Sequence, residues 1–129
     1  MRFFTLFMLF AFISGSVLAS TPEKIVVGVG KLKTAKRSKL KVRFIEVTED
    51  SRCPEGVNCI WSGNAKVKVE ITGGKISKIF EFNTDAGPKG DIFQGWSVTI
   101  DRLVPHPKAD TETDKKAYFA TFVIERLTR

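Results

Sequence analysis

One stretch decides the fold, NAKVKVEITGGKISKIFEFN, which runs from Asn64 to Asn83. Its first half places an apolar side chain at every second position and a charged one between each pair. This period of two predicts a β-strand with one buried face, because successive side chains of a strand point to opposite sides of the sheet. Gly73-Gly74 predicts a tight turn, so the whole stretch is predicted to form an antiparallel hairpin.

A turn made of Gly73 and Gly74 alone would fix which residues of the hairpin face each other. Four pairs support that register: Ile71 with Ile76, Val67 with Phe80, Ala65 with Phe82, and Lys66 with Glu81. Two pairs do not fit it: Val69 with Lys78, and Lys68 with Ile79. We therefore expect part of the second strand to be irregular or to lie at a sheet edge.

The same alternation outside the hairpin predicts four more strands. They are Ile25 to Val29, Lys39 to Val47, a strand that starts at Trp96, and Ala117 to Leu127. The apolar parity of the second changes at Ile45 and Val47, which indicates a bulge or a strand that crosses from one sheet to the other. The last carries apolar side chains on both faces, as a central strand does.

Turn-forming residues fill the segment from Thr84 to Gly95, which is predicted to be a loop. Helical periodicity is hard to find after the first twenty residues. About six strands with short turns predict an all-β fold, an antiparallel sandwich in preference to a small barrel.

The N-terminal residues have the parts of a signal peptide. Arg2 precedes an apolar run from Phe3 to Ile13, and small residues up to Ala19 precede the predicted cleavage site. Cleavage would leave 110 residues, 20–129, with a net charge of +6, since it removes one arginine from a chain of net charge +7. We expect a single exported domain, periplasmic or secreted, without a transmembrane segment after cleavage.

Cys53 and Cys59 are the two cysteines of the chain. In an oxidising compartment such a pair normally forms a disulfide, and Pro54 and Gly56 between them allow the chain to turn back. A reactive dithiol is the competing interpretation. Redox pairs usually have two intervening residues and open a helix, whereas Trp61 and a strand-like run follow here.

The residue types contain no recognisable catalytic set, and we expect a protein that is not an enzyme. The single histidine, His106, stands between two prolines. A soft-metal site built from it and the two cysteines would lack methionine, because Met1 and Met8 leave with the signal peptide. No metal or other cofactor is predicted.

A basic stretch is the most informative charged feature. Between Lys31 and Arg43 the sequence has seven cations and no acid. The predicted binding patch consists of Lys36, Arg37, Lys39, Lys41 and Arg43, with the last three on one strand face. Such a patch suits an anionic envelope component or an acidic protein. Nucleic acid is disfavoured for an exported chain without interleaved aromatic residues. The plainer interpretation is a solvated face.

Two short motifs resemble a family of small exported bacterial proteins of uncharacterised function. The motifs are Asp50-Ser51-Arg52-Cys53-Pro54 and Cys59-Ile60-Trp61-Ser62-Gly63-Asn64-Ala65, which are similar to the family pattern D-S-R-C-P and C-I-W-A-G-N-A. Ser62 departs from it, since alanine is usual there. The resemblance extends from about Lys39 to Ile124 and implies an exported β domain with no known activity.

The motif residues also make sense as one structured corner. Asp50 is placed to accept backbone donors or to pair with Arg52, and Trp61 to cover the disulfide. Gly63, next to Asn64, suits a bulge or a close backbone approach. The corner is either architectural or a presented recognition loop. In an alternative hypothesis the protein is a secreted inhibitor of a peptidase or hydrolase, in which an exposed Arg52 enters a cleft.

Overall fold

A computed structural model describes residues 14–16 and 21–128, which form eight β-strands and no helix. The strands are β1 (Glu23–Gly28), β2 (Leu32–Thr34), β3 (Lys41–Asp50), β4 (Ala65–Gly73), β5 (Ile76–Asn83), β6 (Gly90–Phe93), β7 (Trp96–Val104) and β8 (Phe119–Arg126). The predicted signal peptide, Met1 to Ala19, lies outside the described residues apart from 14–16.

The strands form two antiparallel sheets of four strands each. One has the order β1-β8-β7-β6 and the other β2-β3-β4-β5. The sheets do not close on each other, so the predicted sandwich is confirmed and the barrel is not formed. β8 lies between β1 and β7, as its two apolar faces predicted.

The inward faces of both sheets meet in one hydrophobic core. Phe122 of β8 is fully buried, and its ring makes edge contacts with Phe44 of β3 and Phe82 of β5, with centroids 6.5 and 6.4 Å apart. Phe80 extends this cluster to Phe93 of β6. Burial of apolar surface between two sheets is the main favourable term in such a fold.

The predicted hairpin exists, but its predicted register is wrong by two residues. The turn consists of Gly74 and Lys75, and Gly73 belongs to β4, where it faces Ile76. Gly74 has a φ of 61°, which a type II′ turn requires at its first central residue. The observed pairs are Val67 with Phe82, Lys68 with Glu81, Val69 with Phe80, Ile71 with Lys78, and Lys66 with Asn83. The shift gives Val69 and Lys68 suitable partners, but Lys78 now faces Ile71 and Ile79 faces Glu70, on β5 at the edge of the sheet.

Two strands were not predicted, so the count is eight instead of about six. β2 has three residues, all exposed, and is too short to show a period. β6 interrupts the segment predicted to be a loop. Its turn-forming Gly90 is needed because a Cβ there would lie 2.1 Å from the carbonyl oxygen of Val98 on β7. The glycine therefore marks a close strand approach and not a turn.

β3 connects the two ends of the molecule. Its parity change is confirmed, since the pairing with β4 shifts between Phe44 and Glu46 and again after Val47. Its ten residues span about 30 Å. Lys41 lies at what we call the cationic end, formed by residues 35–41, 73–76 and 94–96 with 126–127. Asp50 lies at the opposite, disulfide end, which includes residues 50–64 and 84–86.

Candidate functional site

Arg52 is the centre of a buried polar network at the disulfide end. Its Nε and Nη2 donate to the two carboxylate oxygens of Asp50 at 2.9 and 2.8 Å. Nη1 donates to the carbonyl oxygen of Leu103 at 2.7 Å, and Nη2 also donates to that of Pro105 at 2.8 Å. The Tyr118 hydroxyl donates to Asp50 at 2.8 Å. The guanidinium thereby ties the end of β3 in one sheet to the end of β7 in the other.

The burial of this network bears on the inhibitor hypothesis. The side chains of Arg52 and Asp50 are 7% and 12% exposed. Asp50 pairs with Arg52, as one of its predicted roles requires. The inhibitor hypothesis required an exposed Arg52 that could enter a cleft. That requirement is not met, because every terminal nitrogen of the arginine already donates inside the protein.

The network also changes the titration of its acidic members. Burial alone would raise the pKa of Asp50, but hydrogen bonds from Arg52 and Tyr118 outweigh it and hold that pKa below its ordinary value. Burial and the bond to Asp50 raise the pKa of the Tyr118 hydroxyl above its ordinary value. The ionised carboxylate and the neutral phenol are therefore the forms that the fold stabilises.

Gly63 and Asn64 shape the remainder of the motif corner. Gly63 has a φ of 72°, and a Cβ there would lie 2.0 Å from the carbonyl oxygen of Ser51. The predicted close backbone approach is thus confirmed. The Asn64 side chain accepts the backbone N–H groups of Asp85 and Ala86 at 3.0 and 3.1 Å. It also donates to the Asn83 side chain at 2.9 Å, and so fixes the loop that follows β5.

The predicted disulfide is confirmed, with Cα atoms of Cys53 and Cys59 5.9 Å apart. Beyond it the chain presents two large side chains to solvent. Ile60 is 92% exposed and Trp61 is 75% exposed. The prediction that Trp61 covers the disulfide is therefore wrong, since a side chain so exposed buries little against any neighbour. The buried Arg52 network fixes the chain just before Cys53, whereas Ile60 and Trp61 just after Cys59 remain exposed to solvent.

The polar groups beside the corner do not form a nucleophile and base pair. His106 Nε2 lies 2.6 Å from the carbonyl oxygen of Cys53. The Ser62 hydroxyl is hydrogen-bonded to Asp85 instead of to the imidazole. In a serine hydrolase the histidine would link the hydroxyl to the carboxylate. These three residues share a shallow cleft without that relay.

The basic stretch contains β2, the start of β3 and the turn between them, and this turn lies at the cationic end. One acid holds it: the carboxylate of Glu23 accepts the backbone N–H groups of Lys36 and Arg37 at 2.7 and 3.2 Å. The bond from Lys36 is the main cause that holds the pKa of Glu23 below its ordinary value. Arg37 also donates through its guanidinium to Thr21. The turn is thus fixed through its backbone.

The last three cations of the predicted patch do not share one strand face. Lys39 lies in the turn with a φ of 62°, and only Lys41 and Arg43 belong to β3. Arg43 is 3.8 Å from the carboxylate of Glu70 on β4. Further along the same face Lys68 faces Glu46 and Glu81 across the ladder. Cross-strand pairing therefore balances charge on this face, whereas no described ion pair involves Lys36, Arg37 or Lys39 of the turn.

Sequence reasoning missed several residues that organise both ends. Tyr118 falls within the last predicted strand, and Glu23 lies outside every predicted element. Their partners lie 68 and 13 residues away in the chain, so no local pattern signals them. Lys75 reaches the cationic end through the β4–β5 turn and was not included in the predicted patch.

Comparison with known proteins gives no further assignment, since no family model, curated protein or solved structure matches the chain. The described residues hold no group of three or more His, Cys, Asp or Glu side chains arranged to bind a metal ion. Within the same residues there is no helix with the length and hydropathy needed to cross a membrane.

Replacing Arg52 tests whether the buried network holds the sheets together. We expect Arg52→Ala to lower the free energy of unfolding by about 3–5 kcal/mol, since it leaves the buried Asp50 carboxylate unpaired. Arg43→Ala is the matched control, because it removes an exposed arginine from a surface ion pair, and should cost less than about 1 kcal/mol. Urea denaturation measures both. Equal losses in the two variants would contradict the assignment.

The Asp50 carboxylate should make stability depend on acid. Its pKa is lower in the folded chain, so its contribution is present above the unfolded pKa of about 3.9 and is lost as pH falls through the folded pKa. The destabilisation caused by Asp50→Asn should therefore be largest near neutral pH and shrink in acid. Urea denaturation of the wild type, Asp50→Asn and Glu23→Gln across the acid range measures this pH dependence. A difference that is independent of pH would refute this role.

Proposed function

We propose that the protein is a non-catalytic exported binding domain that recognises an anionic component of the cell envelope through its cationic end. The supporting observation is the concentration of exposed cations at this end. Four of them lie within six residues, and we call them the turn cations: Lys36, Arg37 and Lys39 in the β2–β3 turn, and Lys41 at the first position of β3. None of the four ion pairs that join described residues involves a turn cation.

The local geometry supports a positive field at this end. Glu23 is the acid that contacts the turn, and both of its oxygens accept backbone N–H groups. Lysines on an otherwise charge-balanced sheet do not create a field of one sign, whereas this turn adds four cations beside one carboxylate. A polyanion that approaches the turn would find cationic side chains without other ion-pair partners among the described residues.

Preorganisation of the turn also supports binding. The backbone N–H of Ala35 donates to the carbonyl oxygen of Leu40 at 2.8 Å, and that of Lys39 donates to Ala35 at 3.1 Å. Ala35 and Leu40 are buried, so the turn is packed onto the core. A backbone already fixed loses little conformational entropy on binding. The Cys53–Cys59 disulfide supports an oxidising compartment, which agrees with the predicted signal peptide.

A charge-matched comparison tests the proposal. The triple variant Lys36→Gln, Lys39→Asn, Lys41→Gln removes three turn cations, and asparagine tolerates the positive φ at position 39. The control Lys24→Gln, Lys66→Gln, Lys68→Gln removes three cations from the sheet faces. With about 1 kcal/mol per close charge in water, we expect the first variant to bind dextran sulfate about tenfold to a hundredfold more weakly, and the control to bind nearly as the wild type. Fluorescence anisotropy measures it, and equal weakening would contradict the proposal.

The disulfide end supports a second candidate function, recognition of a protein. Ile60 and Trp61 are 92% and 75% exposed and follow Cys59 directly, just outside the ring that the disulfide closes. Tryptophan is enriched among residues that dominate binding energy at protein interfaces. The disulfide on one side and the hydrogen bond from the Cys53 N–H to the Ser62 carbonyl oxygen on the other restrict the backbone of this segment, which lowers the entropic cost of binding.

Site-specific photo-cross-linking in cells tests this second candidate. With p-benzoylphenylalanine in place of Ile60, we expect one discrete cross-linked protein species. The same probe at Phe119, an exposed apolar residue of β8, should not give this cross-linked species. Adding Trp61→Ser should remove the species, because the adjacent contact is lost. An identical pattern from both positions, or no species from position 60, argues against protein recognition at this loop.

A further inference from the structure

We propose that the ligand of the cationic end is the surface of an anionic lipid bilayer, on which this end docks through cations and apolar side chains together. The inference rests on the proposed function and names its partner. It comes from what the topology gathers at the cationic end: residues from three turns and from the end of β8. No sequence pattern contains them all.

Hydrogen bonds between the turns make this end one surface. The Gln94 side chain of the β6–β7 turn donates to the carbonyl oxygen of Gly73 at 3.1 Å, which joins the two sheets. The backbone N–H of Leu127 donates to Gly95 at 3.0 Å. Through Glu23, the start of β1 holds the β2–β3 turn. The surface is therefore fixed at several points.

Two cations from outside the basic stretch reach this surface. Lys75 lies in the β4–β5 turn, two strands from the β2–β3 turn, which corresponds to about 10 Å across the sheet. Arg126 lies opposite Trp96 at the end of β8. Both are exposed. With Lys36, Arg37 and Lys39 of the β2–β3 turn and Lys41 at the start of β3, they make six positive side chains at one end of the sandwich.

Apolar side chains lie among these cations. Ile76 follows Lys75 and is 62% exposed, and Leu127 follows Arg126 and is 46% exposed. A shallow open depression beside them is lined by Gln94, Gly95, Trp96, Arg126, Leu127 and Thr128. A soluble polyanion gives exposed isoleucine and leucine nothing to bury against. The headgroup region of a bilayer takes cations, short apolar insertions and tryptophan together.

The path of the chain supports the same orientation. β1 begins at Glu23 at the cationic end, because Glu23 faces Ile124 near the end of β8 and binds the β2–β3 turn. The described chain enters the domain at this end, since Thr21, two residues before β1, accepts hydrogen bonds from the guanidinium of Arg37. The predicted signal peptide, Met1 to Ala19, precedes it in sequence.

Vesicle binding measures the inference directly, with protein purified from cells that express the full chain. We expect binding to vesicles of phosphatidylglycerol and phosphatidylcholine, no binding to phosphatidylcholine alone, and weakening by salt. Each neutralised turn cation should lower the partition coefficient about fivefold. The double variant Ile76→Ser, Leu127→Ser should lower it about tenfold through lost apolar burial. The control Val26→Ser, Val104→Ser alters two exposed apolar residues of a sheet face and should leave it unchanged.

Separate outcomes distinguish this inference from the proposed function. If the protein binds dextran sulfate through the turn cations but does not bind the anionic vesicles, the lipid inference fails and the proposed function stands. If it binds neither, both fail. If the apolar double variant weakens dextran sulfate binding as much as vesicle binding, the apolar residues act through the fold and the lipid inference fails.

The two tryptophans of the chain report which end meets the bilayer. Trp96 lies at the cationic end and Trp61 at the disulfide end, about one β3 length apart. Vesicles with brominated acyl chains quench tryptophan that lies at the membrane interface. We expect quenching to persist in Trp61→Phe and to disappear in Trp96→Phe. The reverse result would assign membrane contact to the disulfide end and overturn the inference.

Discussion

The buried ion pair between Arg52 and Asp50 is the constraint on which the disulfide end depends. A guanidinium taken out of water must have its donors satisfied, and here the acceptors come from both sheets: Asp50 at the end of β3, Leu103 near the end of β7, and Pro105 just after it. The two sheets must therefore meet at one separation and one angle at this end. The disulfide loop begins one residue later, so its position follows from the same contacts.

The sequence predicted the architecture well, because a sandwich with one buried face per sheet encodes its strands in period-two alternation. Every predicted strand exists, and the disulfide forms. The hairpin register was wrong because the pattern alone does not tell which glycine turns the chain. Gly73 fits the strand since its missing side chain leaves room for Gln94, which lies in the β6–β7 turn of the other sheet. This contact is tertiary and leaves no signal in the local sequence. The same holds for Gly90 of β6, which suggests a turn in sequence but is required by the close approach of β7.

The candidate surfaces were predicted less completely, for a related reason. The cationic turn could be predicted because its cations lie close together in sequence. The pairing that removes Arg43 from the patch, and the topology that adds Lys75 and Arg126, depend on which strands are neighbours. Arg52 beside an exposed loop resembles a presented residue in sequence. Its burial follows from acceptors more than 50 residues away.

The separation of the two ends has an electrostatic consequence. Ionic screening at physiological salt acts over about 8 Å, whereas the length of β3 places the lysine turn and the tryptophan loop about 30 Å apart. A charge altered at one end is thus not felt at the other. The sandwich is a rigid spacer between two electrostatically independent tips, so each tip can acquire or lose a ligand in evolution without disturbing the other.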